Sequence, residues 1–216
     1  MKKNNFINSI IMLLSILSFF PFFDEFSQYQ VHSTRHTGLG WMSTLTCRKV
    51  STLILIVEQV GLTQRRILLG MKKRGFGEGK WNGFGGKVEN DETVFDGAMR
   101  ELQEECSITA ENMTQAGLLA FDFPDESCDP LLVHVFKASA YTGTIAESEE
   151  MRPCWFDVNE IPFEEMWQDD ILWFPHLLAD RPFVGKCVFK EVHTMVSHEI
   201  RELDNDESFE DLAKTI

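Results

Sequence analysis

Basic residues are scarce in this 216-residue chain, where 20 Lys and Arg stand against 34 Asp and Glu for a formal net charge of −14. A field of that sign repels nucleic-acid backbones and excludes DNA or RNA polymers as main partners. A small phosphorylated ligand stays admissible where a metal ion or a local basic patch offsets the repulsion. Paired cysteines are also missing. Cys47, Cys106, Cys128, Cys154 and Cys187 are odd in number, widely spaced and contain no C-x-x-C. Neither a disulfide framework nor a zinc site is spelled out, and buried reduced thiols are expected. There is no P-loop, since Gly79-Lys80 runs into Trp81 and Gly86-Lys87 into Val88, and no dinucleotide-binding glycine fingerprint or internal repeat. Apolar material is plentiful: 44% hydrophobic residues, 18 of all residues being Phe, suffice for one core and exclude wholesale disorder.

One long uncharged run does occur. Residues 6–23 are mostly apolar, with Lys2 and Lys3 before them and Asp24 and Glu25 after. The run reads as a signal peptide, as a short membrane anchor, or as an extension upstream of a working protein that begins at Met42. Pro21-Phe22-Phe23-Asp24 is a poor cleavage site, and the segment is neither Arg-rich nor amphipathic as a mitochondrial presequence would be. The third reading is preferred. The sequon Asn112-Met113-Thr114 matters only in a secreted chain.

Residues 51–57 form a β-branched apolar run of strand length, 58–64 a hairpin loop, and 66–70 a returning strand. Six glycines between 75 and 86 make a loop that lets backbone approach a ligand. Residues 91–106 then read as a helix capped by Asp91 or Thr93, with Phe95, Ala98, Leu102 and Cys106 as its apolar stripe. Strand-like pieces follow at 116–123 and 131–138, a helix interrupted by Pro175 at 162–178, and one or two strands over 187–200. The acidic end, 204–216, is expected to be a solvated tail. Helices interspersed with mixed strands imply an α/β or α+β domain downstream of the 1–41 extension.

The chemistry concentrates on the first helix. Glu101, Glu104 and Glu105 fall at i, i+3 and i+4, three carboxylates on one face. Unpaired like charges there destabilise a helix, and oxygen ligands of this kind suit hard cations such as Mg²⁺. A solvated acidic face is the competing reading, at about even odds on spacing alone. The preceding loop shifts the balance, because Lys72, Lys73, Arg74, Lys80 and Lys87 oppose only Glu78. Glycines and bases just before a carboxylate-bearing helix fit phosphate recognition with metal neutralisation.

Gly86, five residues, Glu92, seven residues, then Arg100-Glu101-Leu102-x-Glu104-Glu105 resembles the Nudix box of nucleoside diphosphate-linked hydrolases. One position departs: Ser107 stands where that family ends the helix on glycine, at a cost of about 1 kcal/mol if the residue is left-handed. Further segments resemble the branch of the family that acts on oxidised purine nucleoside triphosphates. They are Gly70-Met71-Lys72-Lys73-Arg74-Gly75-Phe76-Gly77, Trp81-Asn82-Gly83-Phe84-Gly85-Gly86-Lys87, Met151-Arg152-Pro153-Cys154-Trp155-Phe156 and Met166-Trp167-Gln168-Asp169-Asp170. The 58–64 loop is longer than the family's, and Gln168 replaces a proline. The resemblance spans residues 42–203.

It implies an α/β/α sandwich with a mixed central sheet. It also implies Mg²⁺, or Mn²⁺ in its place, held by Glu101, Glu104, Glu105, Glu150 and the Gly85 carbonyl, with Glu105 or Glu150 as general base. Arg100 and Glu92 become a structural ion pair. Asn82, Trp167, Asp169 and Asp170 would read the base, and Thr52, Lys72, Phe76, Phe121 and Phe123 would line the pocket. Phe84, Gly85, Gly86 and Lys87 would border the substrate. The implied reaction releases a nucleoside monophosphate and pyrophosphate. The implied setting is a monomer in the cytoplasm, with mitochondrion and nucleus as further sites and no membrane partner unless 6–23 is an anchor. The rival readings are another Nudix activity, such as ADP-ribose or dinucleotide cleavage, and a catalytically silent nucleotide-binding module.

Overall fold

The apolar run at 51–57 is the centre of a longer strand, β1 (Lys49–Val60), in which Leu55 and Val57 bury toward one face of a sheet while Ile54 and Ile56 bury toward the other. A computed structural model describes residues 49–124 and 130–215. The apolar run at 6–23 and the expected start at Met42 lie outside the described residues. β1 turns through residues 61–63, with Gly61 at φ 67°, into β2 (Gln64–Lys72), Ile56 facing Leu68. The hairpin loop expected over 58–64 therefore shrinks to its tip.

Past Leu68 the two strands part, and the glycine-rich segment enters the gap. β3 (Trp81–Asn82) pairs with β2, while Phe84 and Lys87 bridge to Ile54 and Ser51 on β1. α1 (Val94–Cys106) follows, then β4 (Ile108–Glu111), β5 (Thr114–Asp122), β6 (Leu131–Ala138), β7 (Ala140–Gly143) and β8 (Met151–Asp157). A 3₁₀ turn at Phe163–Glu165, α2 (Asp170–Leu178), β9 (Phe183–Lys190), β10 (Thr194–Glu202) and α3 (Phe209–Thr215) complete the order. The main sheet runs β10-β9-β5-β6-β1-β2-β3, with β8 pairing β2; β4 and β7 form a separate pair. β1 with β6 and β5 with β9 are parallel, and the other pairs antiparallel, so the sheet is mixed.

α1 covers one face, where Ala98, Leu102 and Cys106 meet Ile54, Ile56, Leu68 and Phe136. α2 covers the other, where Trp173, Phe174 and Leu177 meet Leu55, Ile67, Leu119 and Phe183. The expected α/β/α layering is what forms. Thr93 caps α1, its Oγ1 accepting from the Asp96 N–H at 3.1 Å. Phe95 leaves the expected apolar stripe: it is exposed and meets Phe136 edge-on. The helix expected over 162–178 begins only at Asp170, because Met166 is extended, and Pro175 sits inside it without breaking it.

Two further expectations change. Cys106 and Cys187 are buried free thiols, but Cys154 is exposed; Cys47 and Cys128 lie outside the described residues. The acidic end is not simply solvated. Ser208 caps α3, and Leu212 buries against Leu118, Ala120, Leu132 and Val184. Leu118 and Ala120 flank Leu119, so α3 lies on the α1 face of the sheet. Among the described residues no helix is long and apolar enough to cross a membrane.

Candidate active site

Packing of Ala98, Leu102 and Cys106 brings the adjoining flank of α1, with Glu105 and Glu101, against the glycine-rich segment, and the three carboxylates then meet different surroundings. Glu105 is buried and accepts from the Gly85 N–H at 2.9 Å and from Lys72 Nζ at 3.1 Å. Glu101 is half-buried against Gly86, where a Cβ would come within 2.5 Å of its Oε1. Glu104 points outward. Burial pushes the carboxyls of Glu105 and Glu101 above the ordinary range, and their cationic neighbours only partly offset it.

Two basic groups hold this arrangement. Arg100 grips Glu92 with two nitrogens, Nε at 3.0 Å and Nη2 at 2.7 Å, and also reaches Glu101 at 2.9 Å and the Lys87 carbonyl at 3.1 Å. The ion pair expected of Arg100 and Glu92 is present, and it braces the loop before α1. Lys72, at the end of β2, lies between Glu105 and Glu150, 3.1 and 3.0 Å from their oxygens. Burial pulls its ammonium down, but the two carboxylates outweigh that and hold it above its usual value. Glu150 also accepts from Arg74 at 2.7 Å, and bonds from Lys72 and Arg74 hold its carboxyl below the ordinary range.

The donors here are oxygens, and a cation already sits among them, so their chemistry fits a hard divalent metal ion. Among the described residues no three His, Cys, Asp or Glu side chains converge as a preformed metal cage. The carboxylates are instead paired with Lys72, Arg74 and Arg100.

A cavity of about 220 Å³ opens beside this cluster. Thr52, Lys72, Phe76, Asn82, Gly85, Gly86, Phe121, Phe123, Trp167, Asp169 and Asp170, all candidate site residues, line it. Gly85, at φ 153°, passes so close to the Thr52 carbonyl that no side chain fits, which lets backbone form the cavity floor. Asp169 and Asp170 are 3% and 2% exposed. Asp169 Oδ2 accepts from Trp173 Nε1 and Asp170 Oδ2 from the Trp167 N–H, both at 3.0 Å. Burial raises Asp169 to about 6, and burial with the neighbouring charge of Asp169 raises Asp170 well above a usual carboxyl. Full ionisation of this pair is therefore disfavoured relative to two ordinary carboxyls. The Trp167 ring lines the same cavity, stacked on Phe76 at 5.0 Å.

Two assigned residues fall elsewhere. Phe84 does not border the cavity; it is wholly buried on the α1 face among Ile54, Leu68 and Leu102. Lys87 is exposed and outside the cavity lining, contributing its carbonyl to Arg100. The late hairpin supplies residues the sequence reading omitted: Phe189 and Val192 line the cavity, and His193 stacks on Trp167. Lys80, counted only among the basic residues of the loop, donates to the Met166 carbonyl at 3.0 Å. Its charge also opposes the rise of the Asp170 carboxyl, a proximity that nothing in the local sequence signals.

The family model of the NUDIX domain matches residues 48–177. The chain is 47% identical over 157 residues to the oxidized purine nucleoside triphosphate hydrolase of Danio rerio, covering 73% of this chain and 97% of the relative. It is 44% identical over 161 residues to the protein of the same name from Mus musculus, covering 74% and 99%. A crystallised MutT protein from Bacillus halodurans superposes with a TM-score of 0.61 at 26% identity, covering 74% of this chain and 99% of that one.

Proposed function

This chain belongs to the NUDIX family, and we propose that it hydrolyses oxidised purine nucleoside triphosphates of the 8-oxo-dGTP and 2-hydroxy-dATP class. The products are the nucleoside monophosphate and pyrophosphate. The chain is a hydrolase of phosphoanhydrides, like the relatives that share close to half of its residues over the matched length. One observation carries the substrate reading. A single cavity has Asn82, Trp167, Asp169 and Asp170 at one part of its wall and Lys72, Gly85 and Gly86 at another, beside the carboxylates of α1.

Members of the family use divalent metal ions. We assign Mg²⁺, with Mn²⁺ as a substitute, to Glu101, Glu104, Glu105, Glu150 and the Gly85 carbonyl. When bound, the ion neutralises the triphosphate and makes water more acidic. Lys72 is placed to meet phosphate oxygens, and Glu105 or Glu150 would take the proton of the water that adds to the α-phosphorus as pyrophosphate leaves. Trp167 stacks on the purine. Asp169 and Asp170 share a proton, so either can donate where the other accepts, which lets one pocket read an oxidised guanine and an oxidised adenine. The working enzyme in this reading is a cytoplasmic monomer, present in mitochondrion and nucleus as well, that clears the free nucleotide pool.

The test is turnover of 8-oxo-dGTP, 2-hydroxy-dATP, dGTP and ADP-ribose with Mg²⁺, with EDTA, and with Glu105→Gln. The oxidised purine triphosphates should be the best substrates, and chelation and the substitution should both abolish turnover. ADP-ribose as best substrate would overturn the proposal, as would full activity in EDTA.

A further inference from the structure

Gln168 stands where the resembling family carries a proline, and it makes a bond a proline has no group to make. Its Oε1 accepts from the Met195 N–H at 2.8 Å. Met195 lies at the start of β10, the outermost strand of the sheet, beside a bulge between Met195 and Ser197. The bond thus ties the segment before α2 to the turn joining β9 and β10. A second tie runs alongside: the His193 ring of that turn lies parallel to Trp167, centroids 5.9 Å apart and planes 16° off. Phe76 is also parallel to Trp167, and Phe189 meets it edge-on at 6.5 Å.

The turn so held is an unusual one. Glu191 and Val192 are both left-handed, at φ 51° and 63°, and a β-branched residue adopts that conformation only when its surroundings hold it there. Val192 lines the cavity.

We infer that Gln168 and His193 are positioning residues for purine recognition: they fasten the β9–β10 turn to Trp167 and so fix the stacking wall of the pocket. The inference rests on Trp167 receiving the base in the proposed function. Neither residue is hydrogen-bonded or paired to the carboxylates of α1, so loosening the wall weakens substrate binding and leaves the phosphate chemistry as it was. Gln168 is itself solvent-exposed, so a charge placed there is screened.

The experiment uses the full chain with Gln168→Met, which keeps the length and removes the acceptor, Gln168→Glu, which keeps an acceptor, and His193→Ala. KM and kcat are measured for the best nucleotide of the wild type, and hydrogen exchange is followed at the Met195 amide. Loss of one hydrogen bond is worth about a five-fold change. Gln168→Met should therefore raise KM about five-fold with kcat within about two-fold, and should speed exchange at Met195. Gln168→Glu should restore both, and His193→Ala should raise KM alone. An unchanged KM, or an equal fall in kcat, in Gln168→Met overturns the inference. Failure of the wild type on every oxidised purine triphosphate would sink the functional reading instead, while KM on the nucleotide it does use and the Met195 exchange still decide the positioning role.

Discussion

Gly86→Ala puts the placement of Glu101 to a direct test. A Cβ at Gly86 would sit 2.5 Å from Glu101 Oε1, 2.6 Å from Cδ and 2.7 Å from Oε2. An ordinary contact starts near 3.4 Å, so the carboxylate must withdraw by about 0.9 Å. That motion also strains its 2.9 Å bond to Arg100. The backbone at Gly86 is not in the left-handed region, so alanine is tolerated there conformationally. The obstacle is the end of a side chain, which can move at an overpacking cost of about 1–3 kcal/mol. A displacement near 1 Å at a catalytic centre, by contrast, costs about 100-fold in rate. The variant should therefore fold, unfold a few degrees below wild type, and lose about 100-fold in kcat/KM on 8-oxo-dGTP. Gly85→Ala is the control: its Cβ would meet the Thr52 carbonyl, backbone that cannot swing aside, and the fold itself should fail. Activity of Gly86→Ala within about three-fold of wild type would show that the close approach of Gly86 does not set the position of Glu101.

Ser107 ends α1 at φ 62° and ψ 27°, so Ser107→Gly should add about 1 kcal/mol and raise Tm by about 2–4 °C; a lower Tm would contradict this. Leu212→Ala removes the side chain that α3 buries in the cluster with Leu118 and Val184 and should cost about 2–5 kcal/mol in denaturant unfolding, whereas a merely solvated tail would show no loss. Asp170→Asn tests the buried pair. Because the carboxyls of Asp169 and Asp170 are raised in the fold, the stability they contribute is complete below the ordinary value of 3.8 and is lost as pH climbs through their raised values, about 6 for Asp169 and well above the ordinary value for Asp170. The asparagine variant should gain on wild type in thermal unfolding as pH rises from about 4 to 8, and a difference independent of pH would refute the sign.

Much of the fold was legible because local patterns carried it. A β-branched apolar run marked β1, the return after the Gly61 loop marked β2, and an Asp91 or Thr93 cap with an apolar stripe marked α1. The i, i+3, i+4 glutamates were evident from spacing, and resemblance to the family box weighed them against a solvated acidic face. β8 was not legible: Met151-Arg152-Pro153-Cys154-Trp155-Phe156 alternates poorly and contains proline, and its pairing is set by the free edge of β2. Phe95 looked like core by helical period, yet it sits in the first turn of α1, at the end of the packed stripe, and is exposed.

Residue types and their order along the chain determined the charge balance, the strand and helix segments and the carboxylate helix with its basic loop. Those are local properties of spacing and side-chain chemistry. Only the tertiary structure decided that Phe76 faces the cavity while Phe84 faces the opposite core, since this depends on how the glycine-rich segment enters between β1 and β2. It also decided that the acidic end folds back through Leu212, and that Gln168, Met195 and His193 meet around Trp167. Those contacts join residues far apart in the chain, and sheet order, not local sequence, brings them within reach.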